Sequence, residues 1–148
     1  MIRVINLNAE FEQLQTLEGR APTTNAAARR DSFSALLPYR DGAVFAAKFA
    51  GKSAWERHPQ GDEIVHIVAG ETTLHLITAQ GRETLALKAG MLVVVPQNAW
   101  HQFEAPGGVS VMTATPQPTE HLYADVDDPR TAEPLLARSE QSVKTQRI

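Results

Sequence analysis

The stretch Glu56-Arg57-His58-Pro59-Gln60-Gly61-Asp62-Glu63 constrains the fold more than any other part of the sequence. Its middle four residues, from proline to aspartate, are turn formers and predict a reversal between two strands. Side chains two residues apart lie on the same face of a strand, so Glu56 and His58 share a face. Glu63 opens the returning strand, where its carboxylate can lie beside the His58 imidazole and bind a divalent cation with it. A surface turn with solvated charges is the alternative explanation of the same residues.

A second informative segment covers residues 90–101. Gly90 and Pro96 bracket a five-residue apolar run, which is typical of a strand that is buried on both faces. A turn follows, in which Asn98 can adopt the left-handed conformation where glycine would often lie. His101 then begins the next strand. Taken alone, a histidine at such a position is more often a hydrogen-bonded structural residue than a ligand.

The sequence on both sides of these segments predicts an all-β fold. Short runs rich in β-branched and aromatic residues alternate with turn formers every eight to twelve residues, as in an antiparallel sandwich or barrel. We expect residues 1–40 to form an N-terminal arm, 41–115 the barrel core and 116–148 an irregular C-terminal extension. The arm is expected to contain a helix within residues 9–18. The predicted strands cover residues 43–50, 63–69, 71–78, 83–87, 91–95, 101–104 and 109–115.

Composition excludes several functional classes. The chain has 148 residues and a net charge of −3, which gives no reason to expect nucleic acid or an anionic membrane as a partner. Cysteine is absent, which excludes disulfides, thiolate metal sites and cysteine nucleophiles. No secretory signal core and no bilayer-spanning apolar run are present, so a cytoplasmic location is predicted. The pair Arg29-Arg30 is expected to be solvated, and no basic cluster near the two segments suggests a phosphate-binding pocket.

Taken together, the two segments resemble the paired motifs of the cupin superfamily. The first motif of that family is a glycine, five residues, His-x-His, three or four residues, Glu, six residues and Gly. The second is a glycine, five residues, Pro-x-Gly, two residues, His, three residues and Asn. Identity and spacing match at six positions: His58, Glu63, Gly70, Gly90, Pro96 and His101.

The sequence departs from the family pattern at several positions. Glu56 stands where the first histidine of His-x-His is expected, and Gly51 lies one residue too close to meet the opening spacing. Asn98 replaces the glycine of the second motif, and Ala105 replaces its final asparagine.

The metal set of the family is three histidines and one glutamate. The resemblance therefore implies His58, Glu63 and His101 as ligands of a divalent metal such as Fe, Mn, Ni or Zn. Glu56 is a candidate fourth ligand or, if it does not bind the metal, a candidate catalytic general base. A set of two imidazoles and two carboxylates favours Fe(II) or Mn(II) over Cu. Loss of one histidine also allows the opposite interpretation, a barrel that no longer binds metal.

The resemblance implies a cupin-type jelly-roll barrel that holds a small-molecule ligand in its interior and forms a homodimer. We expect a metal-dependent enzyme of dioxygenase or isomerase type, or alternatively a non-catalytic ligand-binding barrel. The sequence does not identify the substrate. His66 and His75 are expected to meet on the outer face or to line a contact between subunits, and His121 has no evident partner. Both tryptophans are expected to pack or to close the pocket rim. The expected pocket walls are Val65, Ile67, Val94 and Phe103, and the residues expected to support dimerisation are Ile2, Val4 and Phe11.

Overall fold

The computed structural model describes residues 2–135 and 137–138. Within these residues, strands account for most of the regular structure, and no helix is long and apolar enough to cross a membrane. One α-helix and two 3-10 helices accompany the strands. In chain order the elements are α1 (Leu7–Gln13), β1 (Leu17–Arg20), a 3-10 helix (Ala27–Ser32), β2 (Phe33–Tyr39), β3 (Gly42–Lys52), β4 (Trp55–Arg57), β5 (Glu63–Thr78), β6 (Gly81–Lys88), β7 (Leu92–Val95), β8 (Trp100–Pro116), β9 (Glu120–Leu122), a second 3-10 helix (Pro129–Leu135) and β10 (Ala137–Arg138).

Strand β8 lies at the centre of the fold. It pairs in antiparallel fashion with β3 along one edge and with β5 along the other. Strand β4 joins the beginning of β8 and is flanked on its other side by β9. Strands β6 and β7 both extend the sheet from β5. The prediction of an all-β fold is confirmed.

The two longest strands each contain a sharp irregularity where the sequence suggests a turn. Residues 63–69 and 71–78 were expected to be separate strands, but they form the single strand β5 with register shifts near Gly70. Gly70 has φ of +74°, and a β-carbon there would overlap the carbonyl oxygen of Gly108 in β8. Both strands therefore bend at glycines that permit close backbone approach, and pairing continues beyond the bend.

Apolar side chains from both sheet halves fill the interior. The main cluster contains Val65, Ile67, Leu74 and Val111 among its buried members, each removed from water. Burial of each such side chain stabilises the fold by about 1.5–3 kcal/mol. A second cluster forms around Trp55, Ile77, Trp100 and Leu122, which confirms the expectation that the tryptophans pack.

The N-terminal segment is integrated into the sheet. Strand β1 runs parallel to β3, with Arg20 opposite Gly51, and β2 forms an antiparallel pair with β3. The predicted helix begins earlier and ends earlier than expected, and its Phe11 is buried within its own chain. Phe11 is therefore unavailable to a partner subunit, whereas Ile2 and Val4 remain exposed. The homodimer stays a prediction.

Candidate metal centre

Glu56 lies between two histidines because of strand register. In β4 its backbone is directly opposite His101 of β8 and also directly opposite His121 of β9. Directly opposed residues of neighbouring strands place their side chains on the same face. The His101 Nε2 atom consequently lies 3.3 Å from one carboxylate oxygen of Glu56, and the His121 Nε2 atom lies 3.1 Å from the other.

His58 and Glu63 meet across the hairpin that the sequence predicts. The His58 Nε2 atom lies 3.2 Å from Glu63 Oε2, and Glu63 Oε1 lies 3.2 Å from His101 Nε2. Glu56, His58, Glu63 and His101 each offer one ligand atom, and these atoms all lie within 4.8 Å of one another. The structure thus brings together all four residues that the sequence singled out.

The turns of the two motif segments are hydrogen-bonded to each other. The backbone amide of Asn98 donates to the carbonyl oxygen of His58 at 3.0 Å, and Asn98 has φ of +63°, as expected for its replacement of glycine. The Gln97 side chain donates to the Pro59 carbonyl at 2.8 Å, and its backbone amide donates to the Asp62 carboxylate at 2.7 Å. These bonds hold the two ligand-bearing strand ends at a defined separation.

Hydrogen bonds at the rear of each imidazole orient the histidines. His101 Nδ1 lies 2.9 Å from the carbonyl oxygen of Ala99, which can only accept, so Nδ1 carries the hydrogen. In the neutral imidazole this leaves the lone pair on Nε2, facing the cluster. His58 Nδ1 lies 3.0 Å from the Thr119 hydroxyl and is positioned in the same manner. Such bonds to the far nitrogen are typical of metal-ligating histidines.

The two carboxylates are held in the ionised form. Burial raises the pKa of Glu63, but the neighbouring His58 and His101 outweigh it, and the pKa falls to about 2. Burial also raises the pKa of Glu56, but the adjacent His101 and His121 imidazoles outweigh it and lower the pKa well below its ordinary value. The Thr115 hydroxyl also donates to Glu63 Oε2 at 2.6 Å, which further stabilises the anion.

The same two carboxylates raise the pKa of His101. Burial lowers its pKa, but the adjacent carboxylates of Glu56 and Glu63 prevail and raise the pKa to about 10. Without metal, the buried pair of carboxylates therefore holds a proton on His101. A cation at the same place would replace that positive charge.

The donor atoms fit a divalent cation. His58 Nε2, Glu63 Oε1 and His101 Nε2 are buried without a hydrogen-bond partner among the described residues, although each lies close to another member of the cluster. Buried polar atoms are costly when unsatisfied, and a central cation would satisfy all three. Two carboxylates also balance the charge of a divalent ion, while Glu56, at 16% exposure, is the most accessible of the four.

A cavity of about 70 Å³ lies beside the cluster. Phe103 lines it, as the sequence predicts, together with aromatic side chains that include Phe45 and Phe49. The expectation for Val94 is wrong, since this side chain is 53% exposed on the outside. Val65 and Ile67 pack into the apolar core instead of lining the cavity. The remaining lining residues are Leu17, Arg20, Arg29, Ser32, Phe33, Ala47, Glu56, His58, Glu63, Val111, Thr113, Thr115, Gln117, Thr119 and His121.

Sequence reasoning missed the cationic part of this cavity. Arg29 was expected to be solvated together with Arg30, yet Arg29 is only 6% exposed, whereas the Arg30 side chain is 86% exposed. Arg20 and Arg29 both line the cavity, so two basic side chains lie near the motif residues, where no basic cluster was expected. The reason is tertiary, because β1 and the first 3-10 helix fold back against residues far away in sequence.

The other histidines occupy different environments. His121 contacts Glu56 and is buried, although no motif in the sequence marks it. Its pairing with β4 through the short strand β9 is the feature that places it there. His75 lies outside the cluster and pairs with Glu104 at 3.0 Å. His66 is likewise absent from the cluster of potential ligands found in the described part of the chain.

Comparison with known families connects this geometry to a class of domains. Residues 46–115 match the family model described as a cupin domain. No functionally curated protein matches the chain significantly.

Solved structures share the fold at low identity. A cupin-2 domain containing protein from Shewanella frigidimarina is 22% identical, with a TM-score of 0.56 over 77% of this chain and 95% of that one. Protein NMB1881 from Neisseria meningitidis is 18% identical, with a TM-score of 0.55 over 78% and 100%. Hydroquinone 1,2-dioxygenase from Sphingomonas, solved with 4-hydroxybenzoate bound, is 17% identical, with a TM-score of 0.51 over 58% and 65%. These likenesses concern the fold.

Proposed function

Because residues 46–115 of this chain match the cupin-domain family model and four potential ligands converge in the structure, we propose that the protein is a metal-dependent enzyme. It acts on a small organic molecule, by oxygenation or alternatively by isomerisation. The observation that carries this proposal is the convergence of Glu56, His58, Glu63 and His101, three of whose polar atoms are buried without a hydrogen-bond partner among the described residues.

The four residues have separable tasks in this proposal. His58, Glu63 and His101 hold the metal, and the hydrogen bonds behind them fix their orientation. A divalent metal supplies Lewis acidity and orients the substrate when bound. The equal mix of imidazole and carboxylate donors favours Fe(II) or Mn(II), with Ni and Zn as the other candidates.

Glu56 serves either as the fourth ligand or as the general base. His121 holds one of its carboxylate oxygens, which leaves the other directed towards His101 and the cluster. A general base must lie within hydrogen-bond reach of the proton that it removes, and Glu56 also lines the cavity. The carboxylate is therefore placed for either task.

The cavity limits the substrate by size and polarity. Its volume of about 70 Å³ and its phenylalanine-rich wall suit a small molecule with a hydrocarbon part. Aromatic walls also exclude bulk water, which strengthens electrostatic interactions inside. The hydroquinone 1,2-dioxygenase that shares the fold acts on an aromatic diol, and we carry this reaction class over as the first to be tested.

The metal proposal is tested by elemental analysis of tag-free protein purified under anaerobic conditions. We expect close to one Fe or Mn per chain in the wild type, and none in the double variant His58→Ala/His101→Ala. The matched control is His66→Ala/His75→Ala, which removes two histidines outside the cluster and should retain the metal. Absence of metal from the wild type, even after anaerobic reconstitution, would contradict the proposal.

Catalysis is tested separately from binding. Oxygen uptake by Fe(II)-reconstituted protein is measured with hydroquinone and related diols. Glu56→Gln distinguishes its two roles, because loss of turnover with metal retained indicates a base, whereas loss of metal indicates a ligand. An exchangeable water on bound Mn(II), detected by water proton relaxation, is expected of an enzyme, while a coordinatively closed metal would favour the non-catalytic barrel.

A further inference from the structure

A short stretch beyond the cupin-domain match contacts two of the four potential ligands. The match covers residues 46–115, so Thr119 and His121 lie outside it. These two residues are two positions apart, and they contact Glu56 and His58, which are also two positions apart. The Thr119 hydroxyl lies 3.0 Å from His58 Nδ1, and His121 Nε2 lies 3.1 Å from Glu56 Oε2. A second pair of polar side chains therefore supports the cluster from a part of the chain that the family pattern does not include.

The pairing of β9 with β4 fixes the position of His121. Its backbone is directly opposite Glu56, and the neighbouring pair, Arg57 and Glu120, is joined by an ion pair of 2.8 Å. On its other edge, β9 pairs with β10. The imidazole of His121 is also stacked on the Tyr123 ring, with centroids 5.3 Å apart and planes inclined by 5°. Both the backbone and the ring plane of His121 are therefore constrained.

The imidazole of His121 donates to the Glu56 carboxylate. The low pKa of Glu56 keeps the carboxylate ionised, so its oxygens can only accept. The other ring nitrogen of His121, Nδ1, is buried without a hydrogen-bond partner among the described residues. The ring thus forgoes a hydrogen bond at Nδ1 while Nε2 holds Glu56, which indicates that the contact with Glu56 determines its orientation.

This contact leaves one oxygen of Glu56 for the cluster. Glu56 Oε1 lies 3.3 Å from the Nε2 atom of His101, which is itself a potential ligand. We propose that His121 is a positioning residue that makes Glu56 a one-oxygen ligand of the metal. A general base needs an oxygen free to take a proton from the substrate, whereas here one oxygen accepts from His121 and the other faces a fellow ligand. The inference rests on the proposed metal-binding function and decides between the two tasks considered for Glu56.

A hydrogen bond to the second oxygen strengthens metal binding for two reasons. It restricts rotation of the Glu56 side chain before the metal arrives, so less conformational freedom is lost on binding. It also stabilises the anionic form that a ligand must have. Partners of this kind behind a ligand typically contribute about 10–100-fold to metal affinity.

The proposal is tested by calorimetric titration of metal-stripped, full-length protein with Mn(II) at pH 7. His121→Phe keeps an aromatic ring against Tyr123 but removes the donor, and we expect it to weaken Mn(II) binding by about 10–100-fold. His121→Gln restores a side-chain N–H donor, and its affinity should lie within about threefold of the wild-type value. The matched control is His75→Phe, which removes an imidazole that lies 3.0 Å from the Glu104 carboxylate outside the cluster and should leave the affinity unchanged.

The variants separate positioning from packing. Unchanged affinity in His121→Phe would overturn the inference alone, since the metal would still bind. Equal losses in His121→Phe and His121→Gln would also overturn it, because the ring would then only fill space. A wild type that binds no Mn(II) would overturn the metal proposal and this inference together.

A second measurement on the wild type applies if His121→Phe fails to fold by circular dichroism. NMR of the ring nitrogens in Zn(II)-loaded protein reports which nitrogen carries a hydrogen, and the His121 signal is identified by its absence from His121→Gln. We expect the hydrogen on Nε2 of His121, directed to Glu56. Loss of that hydrogen on Zn(II) binding would mean that His121 binds the metal itself, and the proposal would be overturned.

Discussion

Binding of a divalent metal to the metal-free protein should release one proton per chain near pH 7. Glu56 and Glu63 raise the pKa of His101 to about 10, so this imidazole carries a proton at neutral pH when the metal is absent. Metal ligation requires the lone pair of Nε2, because Nδ1 is committed to the Ala99 carbonyl. The incoming cation must therefore displace the Nε2 proton.

The raised pKa of His101 determines how strongly its proton competes with the metal. At pH 7 the solution is about three pH units below the pKa of His101, and each unit corresponds to about 1.4 kcal/mol. Displacement of the proton should therefore cost about 4 kcal/mol, equivalent to about a thousandfold loss of metal affinity relative to pH above 10. Between pH 6 and 8 the affinity should rise about tenfold for each pH unit.

The proton is counted by calorimetry. Mn(II) is titrated into metal-free protein at pH 7 in buffers that differ in ionisation enthalpy and bind Mn(II) weakly. The slope of the observed enthalpy against the buffer enthalpy gives the number of protons released. We expect a value near one for the wild type and for His75→Gln, which changes an imidazole outside the cluster.

Two results would refute the reasoning. A slope of zero with metal bound would mean that His101 is already neutral at pH 7. An affinity that does not change between pH 6 and 8 would lead to the same conclusion from an independent measurement. Either result would indicate that the two carboxylates do not control the charge of His101.

Three further predictions concern stability. Gly70→Ala should reduce the free energy of unfolding by about 2 kcal/mol or more in urea titrations, because the new β-carbon overlaps the Gly108 carbonyl. The control is Gly81→Ala, which is strained at φ of +114° but brings no atom into contact, and it should reduce the free energy of unfolding by less. Trp55→Phe should cost about 2–3 kcal/mol through loss of the indole hydrogen bond to a backbone carbonyl and of buried area, measured by thermal unfolding; an unchanged melting temperature would contradict this. The pKa of Glu63 is about 2 in the folded protein against 4.5 ordinarily. Its carboxylate therefore stabilises the metal-free protein fully above pH 4.5, and this stabilisation, about 3 kcal/mol in total, is lost as the pH falls towards 2. The free energy of unfolding of Glu63→Gln should consequently decline less steeply in acid than that of the wild type.

Local patterns predicted much of the barrel because they depend on neighbouring residues. The turn between His58 and Glu63 and the left-handed Asn98 follow from residue type and spacing, and both occur in the structure. The same local rules misjudged Gly70, where a glycine inside a bent strand has the same sequence signature as a glycine in a turn. Only pairing with β8 distinguishes the two cases.

The sequence by itself determined the all-β fold and the four residues of the cluster. Alternation within a strand and spacing across a turn predict that Glu56, His58 and Glu63 lie together, and the resemblance to the paired cupin motifs adds His101 to them. Tertiary structure alone decided what surrounds them. His121 reaches Glu56 through a three-residue strand, and Arg20 enters the cavity through a parallel pairing with β3. Such contacts join segments that are distant along the chain and carry no periodic signal, because their position depends on packing against the completed barrel.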